Sequence, residues 1–506
     1  MRFSISTEVL EVGKKLEGAG FEAYLVGGCV RDLLLNELES TRSASSGLAP
    51  RATSEPKDWD IATNAKPEQV QKLFPESVYE NQFGTVGVKT DSEDPRLKVI
   101  EVTTFRLEGK YTDKRHPDEV KFAKTIEADL SRRDFTINAI ALKPNTYNLK
   151  PNLVDPYGGE RDLKAKIIRT VGKPEERFNE DALRLLRAVR FAAELNFEIE
   201  KETKIAIKKQ AGLLEMIAKE RIRDEFEKLI MTERASDSIR LLEEVGLLKF
   251  VLPELREGIN IGQNKHHIYN VFDHNLRSLE YAAKQNYSLQ IRLASLLHDI
   301  GKPKTKGGDG PDSTFYNHEI VGAKMAVKAL DRLRFSKDLI ENVVHLIRYH
   351  MFYYNVGEVS EAGVRRFLRR VGPEYVDDLL KVREADRIGS GVPKAVPYKL
   401  RHLLFMIEKV KHDPISPKML RVNGEDVMKL AKLEPGPKVG QILGALLDEV
   451  LDDPKRNEKE YLEKRIRELN KLSEEELVQL AQKARETKEE IEAGLEEEMK
   501  KKYYVK

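Results

Sequence analysis

The chain has 506 residues, 34% charged and 40% hydrophobic, with a net charge of only +2, so no basic field covers it and any nucleic-acid surface must come from local clusters. A single cysteine, Cys29, excludes a disulfide framework and fits a reducing compartment. No apolar run approaches the roughly 18 residues of a membrane span, and Met1-Arg2-Phe3-Ser4 lacks a long apolar core, so a cytoplasmic protein of about three or four domains is expected.

Residues 1–145 mix strand and helix patterns. Tyr24-Leu25-Val26, then Gly27-Gly28-Cys29-Val30-Arg31-Asp32 and Leu33-Leu34-Leu35, read as a strand, a glycine turn and a helix start. Such a turn lets backbone N–H groups approach phosphate oxygens, and the helix N-terminus favours negative charge. Ser40 to Pro50 is rich in Ser, Ala, Gly and Pro and reads as a flexible surface loop, part of an insertion at 40–56.

Asp58-Trp59-Asp60 follows, with two carboxylates at i and i+2. On a strand both point to one face, where paired carboxylates can hold divalent metal for phosphoryl transfer. Together with the glycine turn they suggest an enzyme acting on a nucleoside triphosphate. Val86-Gly87-Val88 and Val99-Ile100-Glu101-Val102 alternate as strands; Glu101 fits either a third carboxylate or an ordinary surface residue. The segment from Phe105 to Pro117 is charged and poor in core residues.

From about residue 178 the pattern turns helical: Asp181–Leu195 and Ile222–Ile230 carry apolar residues at helical spacing. Residues 265–390 also read as helical and hold His266, His267, His274, His298, His318, His345 and His350. Beyond Pro393, breaks fall at Pro414, Pro417 and Pro435-Gly436-Pro437. The end is a charged helix, with a Ser473/Glu476 capping box before Leu477-Val478-Gln479-Leu480.

Five segments occur in order: 27–35, Asp-Trp-Asp-Ile-Ala-Thr at 58–63, Arg-Arg-Asp-Phe-Thr-Ile-Asn-Ala-Ile-Ala at 132–141, Asp-Pro-Tyr-Gly-Gly at 155–159, and Arg-Phe-Asn-Glu-Asp-Ala-Leu-Arg-Leu-Leu-Arg-Ala-Val-Arg-Phe at 177–191. Over about residues 20–260 the chain thereby resembles the bacterial class II tRNA nucleotidyltransferases and poly(A) polymerases. The resemblance implies an α/β nucleotidyltransferase head, a mixed sheet with helices, at 1–145. It implies an all-α neck with a base-selecting helix and an RNA-binding region at 146–260, an HD-type helical domain at 261–390 and a helical tail at 391–506. It also implies addition or repair of the 3′-terminal CCA of tRNA, using CTP and ATP with Mg²⁺.

In that frame Asp58 and Asp60 hold Mg²⁺, which activates the RNA 3′-hydroxyl and neutralises the triphosphate. Gly27, Gly28 and Arg31 grip the phosphates, Arg132 and Arg133 add positive charge, and Asp134 orients those two arginines. Asp181 and Arg184, at i and i+3, are expected on one helix face. Cytosine and adenine both present an amino group beside a ring-nitrogen acceptor, whereas guanine and uracil present the opposite pattern. One Asp/Arg pair can therefore admit CTP and ATP; in the similar family the matching residues act as such a template. Arg187 and Arg190 continue the stripe toward the triphosphate. The segment Phe105–Pro117 resembles the flexible loop of CCA-adding and A-adding members.

His274, His298, Asp299, His318, His350 and Asp386 match the order of an HD-domain metal site, a donor set for a divalent ion such as Ni, Mn or Mg that activates water. His318 and His350 are the weaker members. His345 lies about 140° around a helix from His350 and is set aside. Arg365, Arg366, Arg369 and Arg370 recur at helical spacing and suit either tRNA phosphates or a solvated basic face.

The rival readings are an A-adding enzyme or poly(A) polymerase, an HD phosphohydrolase with an RNA-binding head, and a pure RNA-binding protein. Sequences resembling the bacterial poly(A) polymerase commonly continue the Glu-Asp motif with Pro-Val. Ala182-Leu183 stands there instead, which leans toward tRNA. The four residues Asp58, Asp60, Asp181 and Arg184 argue against the last two readings. Oligomeric state has no signal in the sequence.

Overall fold

Apolar alternation and turn residues build the first third of the chain into a sheet. The computed structural model describes residues 3–46, 56, 58–81, 84–108, 120–143, 152–264, 268–473 and 475–477. Helix α1 (Thr7–Gly18) leads into β1 (Ala23–Val26), α2 (Gly28–Ser46), β2 (Asp60–Thr63), α3 (Pro67–Leu73), β3 (Ser77–Asn81), β4 (Thr85–Lys89) and β5 (Val99–Thr104). A small ribbon, β6 (Arg106–Glu108) with β7 (Val120–Phe122), precedes α4 (Ile126–Ser131), β8 (Ala141–Lys143) and β9 (Asn152–Val154).

The main sheet runs β3-β4-β5-β2-β1-β8-β9. It is antiparallel apart from β2 and β5, which pair in parallel and set Asp60 opposite Glu101. Val26, Ala62, Phe105, Ile126 and Leu130 share one buried cluster, which pins β1, β2 and α4 together behind the glycine turn.

The sheet gives way to α5 (Gly159–Ala165), a two-residue parallel bridge of β10 (Ile167–Ile168) and β11 (Glu198–Ile199), α6 (Pro174–Glu180) and α7 (Leu183–Leu195). Next come α8 (Lys201–Gln210), α9 (Lys219–Ile230), α10 (Ala235–Glu244), α11 (Leu248–Val251) and α12 (Pro253–Arg256). These elements, with Ala329–Lys337, form one compact unit.

The second unit, Glu257–Lys328 and the chain from Asp338 onward, is helical. It contains α13 (Val271–Lys284), α14 (Leu289–Leu297), α15 (Lys302–Thr305), most of α16 (His318–Arg332), α17 (Lys337–Tyr349), α18 (Glu361–Val371) and α19 (Pro373–Gly389). The chain continues through α20 (Tyr398–Val410), α21 (Gly424–Ala431), α22 (Pro437–Asp452) and α23 (Lys459–Leu469). Two glycines permit the closest approaches. A Cβ on Gly389 of α19 would lie 2.1 Å from Ser278 Oγ of α13, and one on Gly301 would lie 2.1 Å from the His318 carbonyl.

Three expectations change here. Ser40–Ser46 is not loop but the last turns of α2, with Ser40 Oγ donating to the Asn36 carbonyl at 2.8 Å, a back-bond that seats serine within a helix. Residues 47–55 lie outside the described residues. The helix expected from Asp181 begins at Leu183, because Asp181 is extended (φ −133°, ψ 106°) and separates α6 from α7. The basic face of α18 is split, with Arg365 buried and Arg366, Arg369 and Arg370 exposed. Arg365 is buried and donates to the Leu451 carbonyl and Asp413, Arg366 pairs with Asp452, and Arg369 lies 2.7 Å from Asp448. Arg365 ties α18 to its neighbours from inside, while Arg366 and Arg369 form surface ion pairs on a solvent-facing row.

The Ser473/Glu476 capping box is present in both directions, at 2.7 and 3.1 Å. Leu477 begins the segment it caps, while Val478-Gln479-Leu480 and most of the Phe105–Pro117 loop lie outside the described residues.

Candidate active site and metal centre

The glycine turn is a strand end that must reverse into a helix within one residue. Gly27 takes φ +76°, a left-handed conformation that glycine enters without penalty, and α2 starts at Gly28. A Cβ on Gly27 would sit 3.1 Å from Arg133 Nη1 and 3.3 Å from Asp60 Oδ2. The turn, one carboxylate and one guanidinium thus converge on one point at the N-terminus of a helix, where unpaired amides favour an anion.

Asp60 opens β2, while Asp58 lies before the strand and is exposed. The pair therefore straddles the strand start. Burial raises the Asp60 carboxyl and nearby Asp58 raises it further, against the lowering pull of Arg133. A cation beside both carboxylates would offset that cost. Glu101 faces the same side of the sheet as the register partner of Asp60 and is exposed.

The arginines are organised differently from the expectation. Buried Asp129, not Asp134, holds both Arg132 and Arg133, at 2.8 and 3.2 Å. Burial works against its charge, but the two guanidiniums hold its carboxyl below the usual range. The spacing i, i+3 and i, i+4 from Asp129 is the signal that could have found it. Arg133 Nε remains buried without a hydrogen-bond partner.

Asp134 instead accepts from Arg187 at 2.6 and 2.8 Å, from Asn138 and from the Phe135 amide. Burial opposes its ionisation, but Arg187 and Arg184 outweigh it and hold the carboxyl at about 2. Arg31 is buried as well, donating to Asp32 at 2.8 Å and to Asn138 at 3.0 Å. Arg190 pairs with Glu225 and Glu194, both at 2.7 Å, and lies over the Phe191 ring. Buried and doubly paired, Arg190 is a packing residue of the α7–α9 contact rather than a triphosphate ligand. Glu225 had no sequence signal, because it lies 35 residues away on α9.

Asp181 and Arg184 do not share a helix face. Asp181 Oδ1 caps the Leu183 amide at 3.1 Å, and Arg221 of α9 grips both carboxylate oxygens at 3.2 and 2.8 Å. Arg184 is held by Glu180 at 2.6 Å and by the carbonyls of Arg177 and Arg132 at 3.2 and 3.0 Å. Three of its five N–H donors are thus engaged and two remain. Both side chains are oriented by fixed neighbours, which suits recognition of a planar edge.

In the second unit six side chains from distant parts of the sequence meet in the interior. His274, His298, Asp299, His318, His350 and Asp386 are all buried. His274 Nε2 lies 2.9 Å from His298 Nε2, 3.1 Å from Asp299 Oδ2 and 3.3 Å from Asp386 Oδ1. The other oxygen, Asp299 Oδ1, lies 3.3 Å from His318 Nε2 and 3.7 Å from His350 Nε2. One carboxylate thus bridges two half-sites, His274/His298 and His318/His350.

Three of the imidazoles are anchored alike. Nδ1 of His298, His318 and His350 each meets the carbonyl three residues earlier, at 2.9, 2.7 and 2.7 Å. That contact fixes the tautomer and aims Nε2 inward. His318 Nε2 and Asp299 Oδ1 are buried without a hydrogen bond. Burial disfavours charge on His298, yet Asp299 and Asp386 pull it up to about 10, while burial with His298 and His318 pushes His350 well below its usual value. The cluster therefore attracts one positive charge to its centre, and its donor set fits a divalent ion.

Two further residues support it: Lys302 Nζ reaches Asp299 Oδ2 at 2.6 Å and Arg383 reaches Asp386 Oδ2 at 2.6 Å. Their i+3 and i−3 spacing from the carboxylates was the available signal. His345 is outside the cluster, bonded to the Val371 carbonyl and stacked on Tyr375.

A mixed sheet with carboxylates at a strand start, beside a glycine turn and an arginine-bearing helix, defines a nucleotidyltransferase head. Models of the poly A polymerase head domain, the probable RNA and SrmB-binding site of polymerase A, and the HD domain match residues 23–169, 196–259 and 271–390. An A-adding tRNA nucleotidyltransferase of Deinococcus radiodurans is 36% identical over 345 residues, 65% of this chain and 76% of that protein. The chain belongs to the tRNA nucleotidyltransferase and poly(A) polymerase family. A CCA-adding enzyme of Leuconostoc citreum is 45% identical over 237 residues, 47% of this chain and 52% of its own length. The chain thus spans about half the length of such CCA-adding relatives. The crystal structure of a Bacillus stearothermophilus CCA-adding enzyme in complex with CTP superposes with a TM-score of 0.64 at 29% identity, covering 92% of this chain and 97% of that one. Among the described residues no helix is long and apolar enough to cross a membrane.

Proposed function

We propose that the protein builds or repairs the 3′-terminal CCA of tRNA without a nucleic-acid template, using CTP and ATP. The observation that carries this reading is the convergence of Gly27, Asp60 and Arg133 at the start of α2. Asp58 and Asp60 would hold Mg²⁺. Bound there, the ion would lower the pKa of the RNA 3′-hydroxyl and neutralise the triphosphate.

The chain's own residues supply the rest. The amides after Gly27 and the Arg133 guanidinium receive phosphate oxygens, and Asp129 keeps Arg132 and Arg133 in place. Asp181 accepts from the exocyclic amino group of cytosine or adenine, while the two remaining Arg184 donors meet the ring nitrogen. Uracil and guanine present a carbonyl to Asp181 and are refused. Arg187, ion-paired with Asp134, ties α7 to the turn after α4.

The His/Asp cluster of the second unit would hold a divalent metal. Its imidazole-rich donor set favours Mn or Ni over Mg. When bound, such an ion supplies an activated water, and Lys302 and Arg383 hold its carboxylates ionised.

A second reading, addition of A alone, is favoured by the A-adding relative that matches the greater share of this chain. Transcripts lacking the last one, two or three nucleotides of tRNA, supplied with CTP and ATP singly and together, separate the two. Extension of the shortest transcript by C, C and then A supports CCA addition. Failure to add C on any transcript overturns it and leaves A addition.

A further inference from the structure

Asp181 is held by a partner 40 residues away on another helix. Arg221 Nη1 donates to Asp181 Oδ1 at 3.2 Å and Nη2 donates to Oδ2 at 2.8 Å, so one guanidinium spans both carboxylate oxygens. A two-point grip fixes the plane of the carboxylate as well as its position, which the point charge of a lysine cannot do. The placement runs against helix electrostatics. Arg221 is the third residue of α9, in the first turn, where the helix dipole favours negative charge. Around it α9 is firmly anchored, by buried Ile222 and Phe226 and by Glu225, which lies 2.7 Å from Arg190. Arg223 adds a bond to the Arg334 carbonyl at 2.6 Å. The grip on Asp181 therefore comes from a fixed point.

Counting donors and acceptors shows what the grip does. An ionised carboxylate offers about four lone-pair sites. Those of Asp181 Oδ1 are taken by the Leu183 amide at 3.1 Å and by Arg221 Nη1. Oδ2 accepts from Arg221 Nη2 and keeps one site open. Arg184 is the complement. Its Nη1 donates to Glu180 and to the Arg177 carbonyl, and Nη2 donates to the Arg132 carbonyl, which leaves Nε–H and the second Nη2 hydrogen. The Asp181 and Arg221 side chains are 17% and 23% exposed, so the open Oδ2 site can be reached from solvent.

Orientation then decides which bases are refused. A carboxylate free to turn can swing away from the carbonyl of uracil or guanine and meet no repulsion. A pinned one keeps its lone pair against that carbonyl, and only an amino group relieves the clash. We propose that Arg221 is a positioning residue that sets base specificity, by pinning the Asp181 carboxylate so that a single Oδ2 acceptor faces the incoming base. The inference rests on the base-selecting role of Asp181 and Arg184 proposed above.

Incorporation kinetics on tRNA transcripts test it. The ratio of kcat/KM for CTP over UTP is read on a transcript lacking the last three nucleotides, and for ATP over GTP on one lacking only the last. The second arm serves even where C is not added. Arg221→Lys keeps the charge and loses the fork; it is expected to lower both ratios about tenfold, with the change carried by the KM values. In an Asp181→Ala background the same substitution is expected to lower neither ratio further, because the carboxylate it positions is gone. Each ratio is read from active molecules alone, so any loss of folded protein cancels from it. The inference is overturned if Arg221→Lys keeps the wild-type ratios, slowing all four nucleotides alike or none, while Asp181→Ala loses them. It is also overturned if Arg221→Lys lowers the ratios equally in both backgrounds, the mark of a packing role. Wild-type ratios in Asp181→Ala itself overturn the base-selecting reading, and this inference with it.

Discussion

The two metal-binding candidates of this chain solve one problem in opposite ways. In the first unit, Asp58 is exposed, Asp60 stands at a strand start, and backbone would supply much of the anion site through Gly27 and the α2 amides. In the second, six side chains are buried and three imidazoles are anchored to the carbonyl three residues earlier in the chain. An open site built on backbone can admit a triphosphate and the end of a large RNA together. A closed site built on side chains holds its ion tightly and admits only small groups. Openness in the first and pre-organisation in the second follow from where the ligands sit: at the end of a strand, or inside a helical packing.

The contrast predicts effects of descending size. Asp299→Ala removes the carboxylate that bridges both half-sites. Protein purified with Mn²⁺ is expected to lose its tightly held metal on desalting, read by elemental analysis; retention of wild-type metal would break the picture of a closed, side-chain-built site. Asp181→Ala removes the acceptor for the exocyclic amino group. It should lower the preference for CTP over UTP by about ten- to a hundredfold in kcat/KM, since a good base contact contributes about 1–3 kcal/mol. Unchanged preference would place base selection elsewhere.

Gly27→Ala forces a side chain into φ +76° and to within 3.1 Å of Arg133. Strain of about 1–2 kcal/mol should slow transfer roughly tenfold, while metal retention in the second unit is untouched. The smallest effect concerns pH. The Asp134 carboxyl is lowered in the folded chain to about 2, so its pairing with Arg187 and Arg184 adds stability above the unfolded value near 4. That contribution is lost as pH falls from about 4 through 2. Denaturant melts of Asp134→Asn should be less stable than wild type at pH 6, with the gap closing toward pH 2; a gap that is constant with pH would contradict the ion-pair account.

What the sequence made legible and what it concealed divide along the same line. Gly27-Gly28, Asp60 and the His298-Asp299 step are local patterns, and the structure places them at a turn, a strand start and a helix end. Sequence order also brought His274, His318, His350 and Asp386 to one cluster. The partners of the arginines were hidden, because side chains find one another across long separations: Asp134 and Arg187 are 53 residues apart, and Arg190 and Glu225 are 35 apart. The break at Asp181 was concealed by helical apolar spacing that runs through it. Its own chemistry was the clue, since aspartate favours capping a new helix over continuing an old one. On α18 the arginine spacing marks a face that is exposed apart from Arg365, but the acidic residues of α22 that pair with Arg366 and Arg369 lie some 80 residues on.

The most direct test of the central claim, that nucleotide transfer runs on the open carboxylates of the first unit, is single-turnover incorporation of labelled CMP into tRNA lacking its last three nucleotides. The Asp58→Ala, Asp60→Ala double variant is compared with wild type, both checked for folding by circular dichroism. Loss of at least about a thousandfold is predicted, the scale of removing a metal that stabilises transition-state charge. A double variant that still adds C within tenfold of the wild-type rate would contradict the account.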